Sequence, residues 1–498
     1  MTVIVEDKNG TYSYDEAVEL TGHGRYNYLM LLACSVSTIG VAMDMFGFSV
    51  VVAAASCDLQ LTLAISGLLN SVPLAGIIFA YPWGYYADTR GRRRALLLSS
   101  SVGFVLAVLT SLAPSWQAML VLKLIGCIFS TAAYTLTMTY LGECTGSVRR
   151  RRYLFVMNSF NLLADFIFYF LAYLILPLTF SIAIPWLGIS LRPWRVYSLI
   201  LAAPLGLGAV MLLMLRESPK LLASRGRMEE ALDVLRKMYE WNGGNKDDYP
   251  VKVLSMENVQ QSSGENLWRS VVSQTVPLFK PPLLWRTMQL FYLFAICTST
   301  NNVFLLWYPM IVNLFFNSHA SGAAVEDQSF CQRVVANIST SIEDDNYVCD
   351  DTISLSTMYA GMLLGVVFAL MNLAASAVAA YRKLVLMVIF LISTVCLALV
   401  ELLREPVSNM VAFTMVQCTA VGVSSVASYF VDLYPTAYRG LGTSLGIMFG
   451  RLIALGGVNL VGAIIIDHCT ATFYSWMVFV ASGIVVALFL PKDSKQYK

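Results

Sequence analysis

The sequence predicts an all-α membrane protein: twelve transmembrane helices in two six-helix halves, with both termini cytoplasmic. Three observations carry that prediction. Hydrophobic residues make up 57% of the 498 and charged residues only 13%, about half the charge of an average soluble domain. The apolar residues gather into runs that match the roughly 20 residues a helix needs to cross the hydrocarbon core. Lysine and arginine fall between these runs, strongly biased to one side, as cytoplasmic loops require.

The runs lie at 28–52, 61–83, 95–113, 117–141, 153–178 and 195–215, then at 285–316, 355–380, 383–403, 409–430, 441–466 and 472–490. They divide the chain into an N-terminal segment (1–27), an N-terminal bundle (28–215), a linker (216–284), a C-terminal bundle (285–490) and a tail (491–498). The first 25 residues are polar and acidic. They lack the short apolar core and small-residue cleavage site of a signal peptide, so no cleaved leader is expected. With the N-terminus cytoplasmic, 27 of the 33 Lys and Arg residues face the cytoplasm, and Arg192, Arg195, Arg333 and Arg404 face the other side. Lys123 and Arg451 fall inside spans.

In the linker, Met228, Ala231, Leu232, Leu235 and Met238 recur at helical spacing and predict an amphipathic cytoplasmic helix. The far-side loop 317–352 is acidic and contains Cys331, Cys349 and the sequon Asn337-Ile338-Ser339. Its location permits oxidation, so a Cys331–Cys349 disulfide closing the loop is expected. Asn337 is expected to carry a glycan if the chain passes through the secretory pathway.

Between the second and third runs stands "WGYYADTRGRRRALLL", residues 83–98. Its Gly84-x-x-Ala-Asp88-x-x-Gly91-Arg92-Arg93 core resembles the signature turn of the major facilitator superfamily. The stretches "YSYDEAVELTGHGRYNY" (12–28), "RPWRVYSLILAAP" (192–204), "ESPKLLASRGRMEEAL" (217–232) and "DLYPTAYRGLGTSLGIMFGR" (432–451) are similar to the synaptic vesicle glycoprotein 2 family and its relatives. That family's large luminal domain is replaced here by a short loop, and Gly47 stands where the family has an acid three residues after Asp44. An acid followed by arginine recurs in both halves: Glu143 before Arg149 and Arg150, and Asp432 before Arg439. The resemblance implies two related bundles that rock about a central cavity, lined by spans 1, 4, 7 and 10. Asp88, Arg90, Gly91, Arg92 and Arg93 then read as a cytoplasmic latch. Asp88 would reach the start of span 11, where free N–H groups attract an anion. The arginines would meet Glu143, with Asp432 and Arg439 forming the comparable contact in the other half.

Ionisable groups inside spans are costly and point to function. Asp44 in span 1 and Lys123 in span 4 lie at similar depth, so they read either as a cavity-wall ion pair or as a snorkelling lysine beside a hydrogen-bonded acid. Asp165 in span 5 and Arg451 in span 11 lie near mid-depth. Asn301 and Asn302 are central in span 7, and Gln417 lies in span 10. These seven residues are the candidates for contact with substrate or coupling ion, with helix–helix hydrogen bonding as the alternative.

Other classes fit poorly. No Gly-rich phosphate loop of the ATP-binding type occurs, the three histidines and the cysteine spacing give no metal signature, and the arginines hug the membrane rather than forming a nucleic-acid face. No enzyme activity or cofactor is expected. The chain reads as a monomeric secondary transporter of a small organic solute, working by alternating access in a plasma or vesicle membrane, with the proton as candidate coupling ion. The alternative is a non-transporting membrane protein used in trafficking and partner binding.

Overall fold

The computed structural model describes residues 11–255, 275–320, 328–334, 352–377, 381–434 and 436–491. Strand β1 (Thr11–Ser13) and α1 (Tyr14–Leu20) precede a first half of nine helical segments. These are α2 (Arg25–Met45), α3 (Phe48–Ala54), α4 (Leu63–Ala75), α5 (Ala80–Arg90), α6 (Arg92–Ser111), α7 (Trp116–Glu143), α8 (Ser147–Leu162), α9 (Ala164–Ile175) and α10 (Pro193–Met214), with a hairpin of β2 (Ile182–Ile184) and β3 (Ile189–Leu191) between the last two. The linker folds as α11 (Pro219–Ser224), α12 (Met228–Trp241) and β4 (Val253–Ser255). The second half comprises α13 (Leu284–Ala320), α14 (Leu355–Ala377), α15 (Arg382–Leu402), α16 (Pro406–Met415), α17 (Ala420–Leu433) and α18 (Thr436–Leu488).

Among the described residues, ten helical stretches are long and apolar enough to cross a membrane, and Leu63–Ala75 is a shorter apolar helix. Several runs expected to be continuous are interrupted. The second is broken by a 3₁₀ turn at Gly76–Phe79, shortly after Pro73, whose missing N–H weakens the helix there. The fifth breaks at Leu163, and the tenth passes through a 3₁₀ turn at Val416–Thr419. Conversely, the last two runs join into α18, broken only by the non-helical backbone of His468.

The N-terminal segment and linker form one cap on the face that carries the arginine turn. β1 pairs with β4 in parallel, Thr11 opposite Val253. The predicted apolar face of α12 is present, and Ala231, Leu232, Leu235 and Met238 are buried with Tyr14, Ala17 and Val18 of α1. The face thus packs on the chain's own N-terminal segment. Asn242 stitches the join: its amide donates to the Thr21 carbonyl (3.0 Å) and the Asn27 side chain (2.7 Å), and its oxygen accepts from the Tyr26 N–H (3.1 Å).

On the opposite face the expected Cys331–Cys349 bridge is replaced. Cys331 bonds Cys469, with Cα atoms 5.7 Å apart. The break at His468 turns the chain beside residues 330–334, where the Phe330 ring packs against Phe315 (5.3 Å) and Phe473 (5.7 Å). This packing carries Cys331 to the turn in α18. Glu401 reinforces the join, accepting from Ser329 Oγ at 2.8 Å and Thr470 Oγ1 at 3.1 Å. Cys349 and Asn337 lie outside the described residues.

Contacts between the halves concentrate toward this disulfide face, in two crossings. At one, α4 packs on α18: a Cβ added at Gly462 would come within 2.9 Å of the Trp307 ring and 3.3 Å of the Gly67 Cα. At the other, α9 packs on α14, where a Cβ at Gly365 would come within 2.6 Å of the Phe166 nitrogen and one at Gly361 would meet the Tyr169 ring. Among the described residues, the most extensive contacts between the halves are these two crossings.

Gly462→Val is therefore expected to open the disulfide face. Ser66, fully buried beside Gly67, is the reporter. A cysteine placed there should react several-fold faster with a membrane-impermeant thiol reagent in the Gly462→Val background, and an unchanged rate would refute the role given to the crossing.

Candidate functional site

Asp44 sits in the last turn of α2, and Lys123 two turns into α7. Lys123 Nζ donates to Asp44 Oδ1 at 2.5 Å and to the Asp44 backbone carbonyl at 2.6 Å. The second carboxylate oxygen accepts from Ser130 Oγ at 3.0 Å. Both charged side chains are almost fully buried, with 6% and 4% exposure. The Lys123 ammonium also lies 4.4 Å from the centroid of the Phe48 ring, an arrangement that favours a cation. Lys123 does not snorkel. Ser130 was not anticipated, although it lies seven residues after Lys123, two turns along the same helix face. Gly47 is explained by proximity: a Cβ there would come within 3.0 Å of Leu201 on α10. A small cavity beside the pair is lined by Met43, Thr110, Ser198 and Leu201.

The arginine turn is built differently from the sequence expectation. Asp88 does not reach the second half; its carboxylate pairs with Arg92 at 2.5 Å, within its own turn. Arg92 also meets Glu143, Nε to Oε1 at 3.3 Å, the contact expected for the arginines. Arg93 donates from Nε to the Leu212 carbonyl and from Nη2 to the Leu213 carbonyl, both at 2.9 Å, bracing the end of α10. Arg90 is exposed at the end of α5. Gly91 has φ +127°, and a Cβ there would collide with the Glu217 carboxylate. Glu217 caps α6, accepting from the Arg93 N–H at 2.8 Å and the Arg94 N–H at 3.4 Å, where helix N–H groups have no internal partner. Sequence reasoning missed Glu217, because only the return of α10 to this face brings it to the turn. The side chains of Asp432 and Arg439 lie outside the described residues.

The remaining candidates are dispersed. Asp165 lies in the first turn of α9 and Arg451 midway along the first limb of α18. Among the described residues neither makes an ion pair, and each is partly buried. Asn302 is buried in α13 beside the partly accessible Asn301. Gln417 is fully buried at the 3₁₀ turn before α17, with both amide atoms lacking a protein partner.

The buried pair generates a prediction. Removing one partner from a buried ion pair costs about 3–5 kcal/mol, whereas removing both avoids the orphaned charge. Asp44→Asn and Lys123→Met should each lower the thermal stability of the purified protein, and the double variant should recover most of the loss. Additive losses in that cycle would contradict the coupling.

Comparisons with known proteins agree with this architecture. Residues 34–325 match the family model for the Major Facilitator Superfamily. The organic cation/carnitine transporter 7 of Arabidopsis thaliana is 25% identical over 97% of this chain and 95% of its own. Human synaptic vesicle glycoprotein 2B is 24% identical over 51% of this chain, which spans only 37% of that protein. Among solved structures, the inward-open xylose transporter XylE from E. coli superposes with a TM-score of 0.64 at 14% identity, over 95% of this chain and 98% of that one. The nucleoside transporter NupG gives 0.58 at 14% identity, over 92% and 98%. The fold, the arginine turn and the match across more than half its length establish that this chain belongs to the major facilitator superfamily.

Proposed function

We propose that the protein is a monomeric secondary active transporter of a small organic solute, coupled to protons through the Asp44–Lys123 pair. Its described helices support a reading of twelve crossings: the interrupted α2–α3, α4–α5, α8–α9 and α16–α17 each count as one, and α18 as two. The N-terminal bundle is 28–215, the C-terminal bundle 285–490 and the linker 216–284. The face bearing the arginine turn, the N-terminal segment and the linker is cytoplasmic by the distribution of Lys and Arg.

The observation that carries this reading is the close joining of two bundles by glycine crossings, with an ion pair buried in one of them. Two faces that close alternately give solute access to each side in turn. The arginine turn is the device for the opposite closure. When the halves meet on the cytoplasmic face, Asp88 exchanges Arg92 for the start of α18, and Asp432 and Arg439 make the matching contact.

Protonation of Asp44 would release Lys123 and weaken the tie between α2 and α7. The pair thus offers a reason for a proton to move with the solute. The test is uptake by purified protein in liposomes against a mixed solute library, with and without an inward proton gradient. At least one solute should accumulate under the gradient. Asp44→Asn should exchange that solute across the membrane yet fail to concentrate it. Accumulation unaffected by the gradient would refute proton coupling, and no movement of any solute by folded protein would refute transport.

A further inference from the structure

We propose that the starts of α2 and α8 form a binding site for an anionic phospholipid, in the leaflet on the arginine-turn face. Three arginines build it: Arg25, the first residue of α2, and Arg149 and Arg152 in the opening turns of α8. All three are exposed, and among the described residues none makes an ion pair or a side-chain hydrogen bond. Their neighbours are matched. Arg150 pairs with Asp15 at 2.6 Å, and Arg92 with Asp88 and Glu143. His23 gathers the unmatched group. Its ring meets the Tyr153 hydroxyl at 2.8 Å and stands edge-on to the Tyr28 ring, with centroids 4.8 Å apart. Burial, and then the positive charges of Arg149 and Arg152, hold the imidazole below the ordinary histidine range. Arg25 follows two residues later in the chain. The nearby acids give these arginines no partner: Asp15 is taken by Arg150, and Glu19 turns a carboxylate oxygen inward against Gly146.

The second observation is that the same helix faces turn apolar within the membrane. Arg25, Tyr28 and Leu32 share one face of α2 by their spacing. Tyr28 is 59% exposed, and Leu32 is exposed beyond it. On α8, Phe160 and Leu163 are exposed three turns on from Arg149 and Arg152. The two helices pack against each other, and each runs from cationic at the membrane surface to apolar inside it. That polarity is the polarity of a phospholipid. A phosphodiester accepts the forked donors of the guanidiniums, Tyr28 lies at the headgroup level that suits its polar tip, and the acyl chains lie along the apolar stripes. A soluble anion would use the arginines and leave the stripes bare.

Charge selects among lipids. Three cations without a carboxylate repel the ammonium of a choline or ethanolamine headgroup, so the site favours lipids of net negative charge. Such lipids gather in the cytoplasmic leaflet, the one that the orientation proposed above gives to this face. A lipid held here ties the segment before α2 to α8, because His23 of that segment and the two arginines of α8 meet around it.

The test uses purified full-length protein in a neutral maltoside detergent, read by native mass spectrometry and by thermal unfolding. Probes are phosphatidylglycerol, phosphatidylserine, phosphatidylcholine with the same acyl chains, and inorganic phosphate. The anionic lipids should stay bound and raise the melting temperature, phosphatidylcholine should do neither, and added salt should weaken the effect. Arg25→Gln, Arg149→Gln and Arg152→Gln together should weaken retention of the anionic lipids about tenfold or more. Lys220→Gln, Arg236→Gln and Lys252→Gln together remove the same charge from the linker and should leave retention unchanged. Each variant is scored as its monodisperse fraction. Arg152→Gln alone, expected to weaken retention several-fold, serves if the triple variant does not fold. Equal retention of phosphatidylcholine, unchanged retention in the folded arginine variants, or an equal loss in the linker control would overturn the proposal. So would displacement of the lipid by inorganic phosphate at an ionic strength where chloride has no effect, which marks a site for a soluble anion. Neither readout requires transport, so failure here leaves the transporter reading standing.

Discussion

A charge inside a membrane protein must be paired, or must face a polar cavity, because hydrocarbon and packed apolar side chains solvate it poorly. The Asp44–Lys123 pair is the sharpest expression of that constraint. It ties α2 to α7 with a salt bridge, a bond to the backbone carbonyl and a supporting serine. Toward the disulfide face the same rule organises Arg195, whose guanidinium donates to the Ser111 and Ala113 carbonyls and pairs with Asp58. On the other face it organises the arginine turn around Glu143 and Glu217. Among the described residues, Asp165 and Arg451 make no ion pair, although both lie within the helices.

The glycine crossings complement these fixed contacts. Charge pairs hold each half together internally, whereas the halves meet through Gly67 and Gly462, and through Gly361 and Gly365. Backbone-close packing of this kind carries no ion pair of its own among the described residues, so separating it leaves no buried charge orphaned. The disulfide Cys331–Cys469 lies wholly within the second half and stiffens it. Packing of this kind is the sort of contact along which helical bundles can rearrange.

The long apolar runs and the Lys and Arg bias made the fold legible, because hydropathy and charge are local properties of the chain. Asp44 and Lys123 could be matched by depth, since both fall at countable positions within spans. The helix breaks at Gly76–Phe79, Leu163 and Val416–Thr419 left no comparable trace, as only Pro73 marks one of them. Cys331 illustrates the limit of sequence proximity: its nearest loop partner was expected, but the turn at His468 brought a cysteine 138 residues away into reach. The cap formed by β1, α1, α12 and β4 was half visible, in the amphipathic spacing of α12. Its partner, the N-terminal segment, is too short and polar to announce burial. For the site, the ionisable members were visible by type, whereas Ser130 and Glu217 acquire meaning only from their neighbours.

The central claim is that the two faces close alternately, and paired distance measurements by pulsed electron paramagnetic resonance address it most directly. One spin-label pair would sit at Arg94 and Tyr381 on the arginine face, and another at Trp186 and Val407 on the disulfide face, all exposed positions. With the protein in liposomes and the pH lowered stepwise, the account predicts reciprocal change. The arginine-face distance shortens in the same fraction of molecules in which the disulfide-face distance lengthens. Distances that stay fixed on both faces, or that lengthen together, would contradict it.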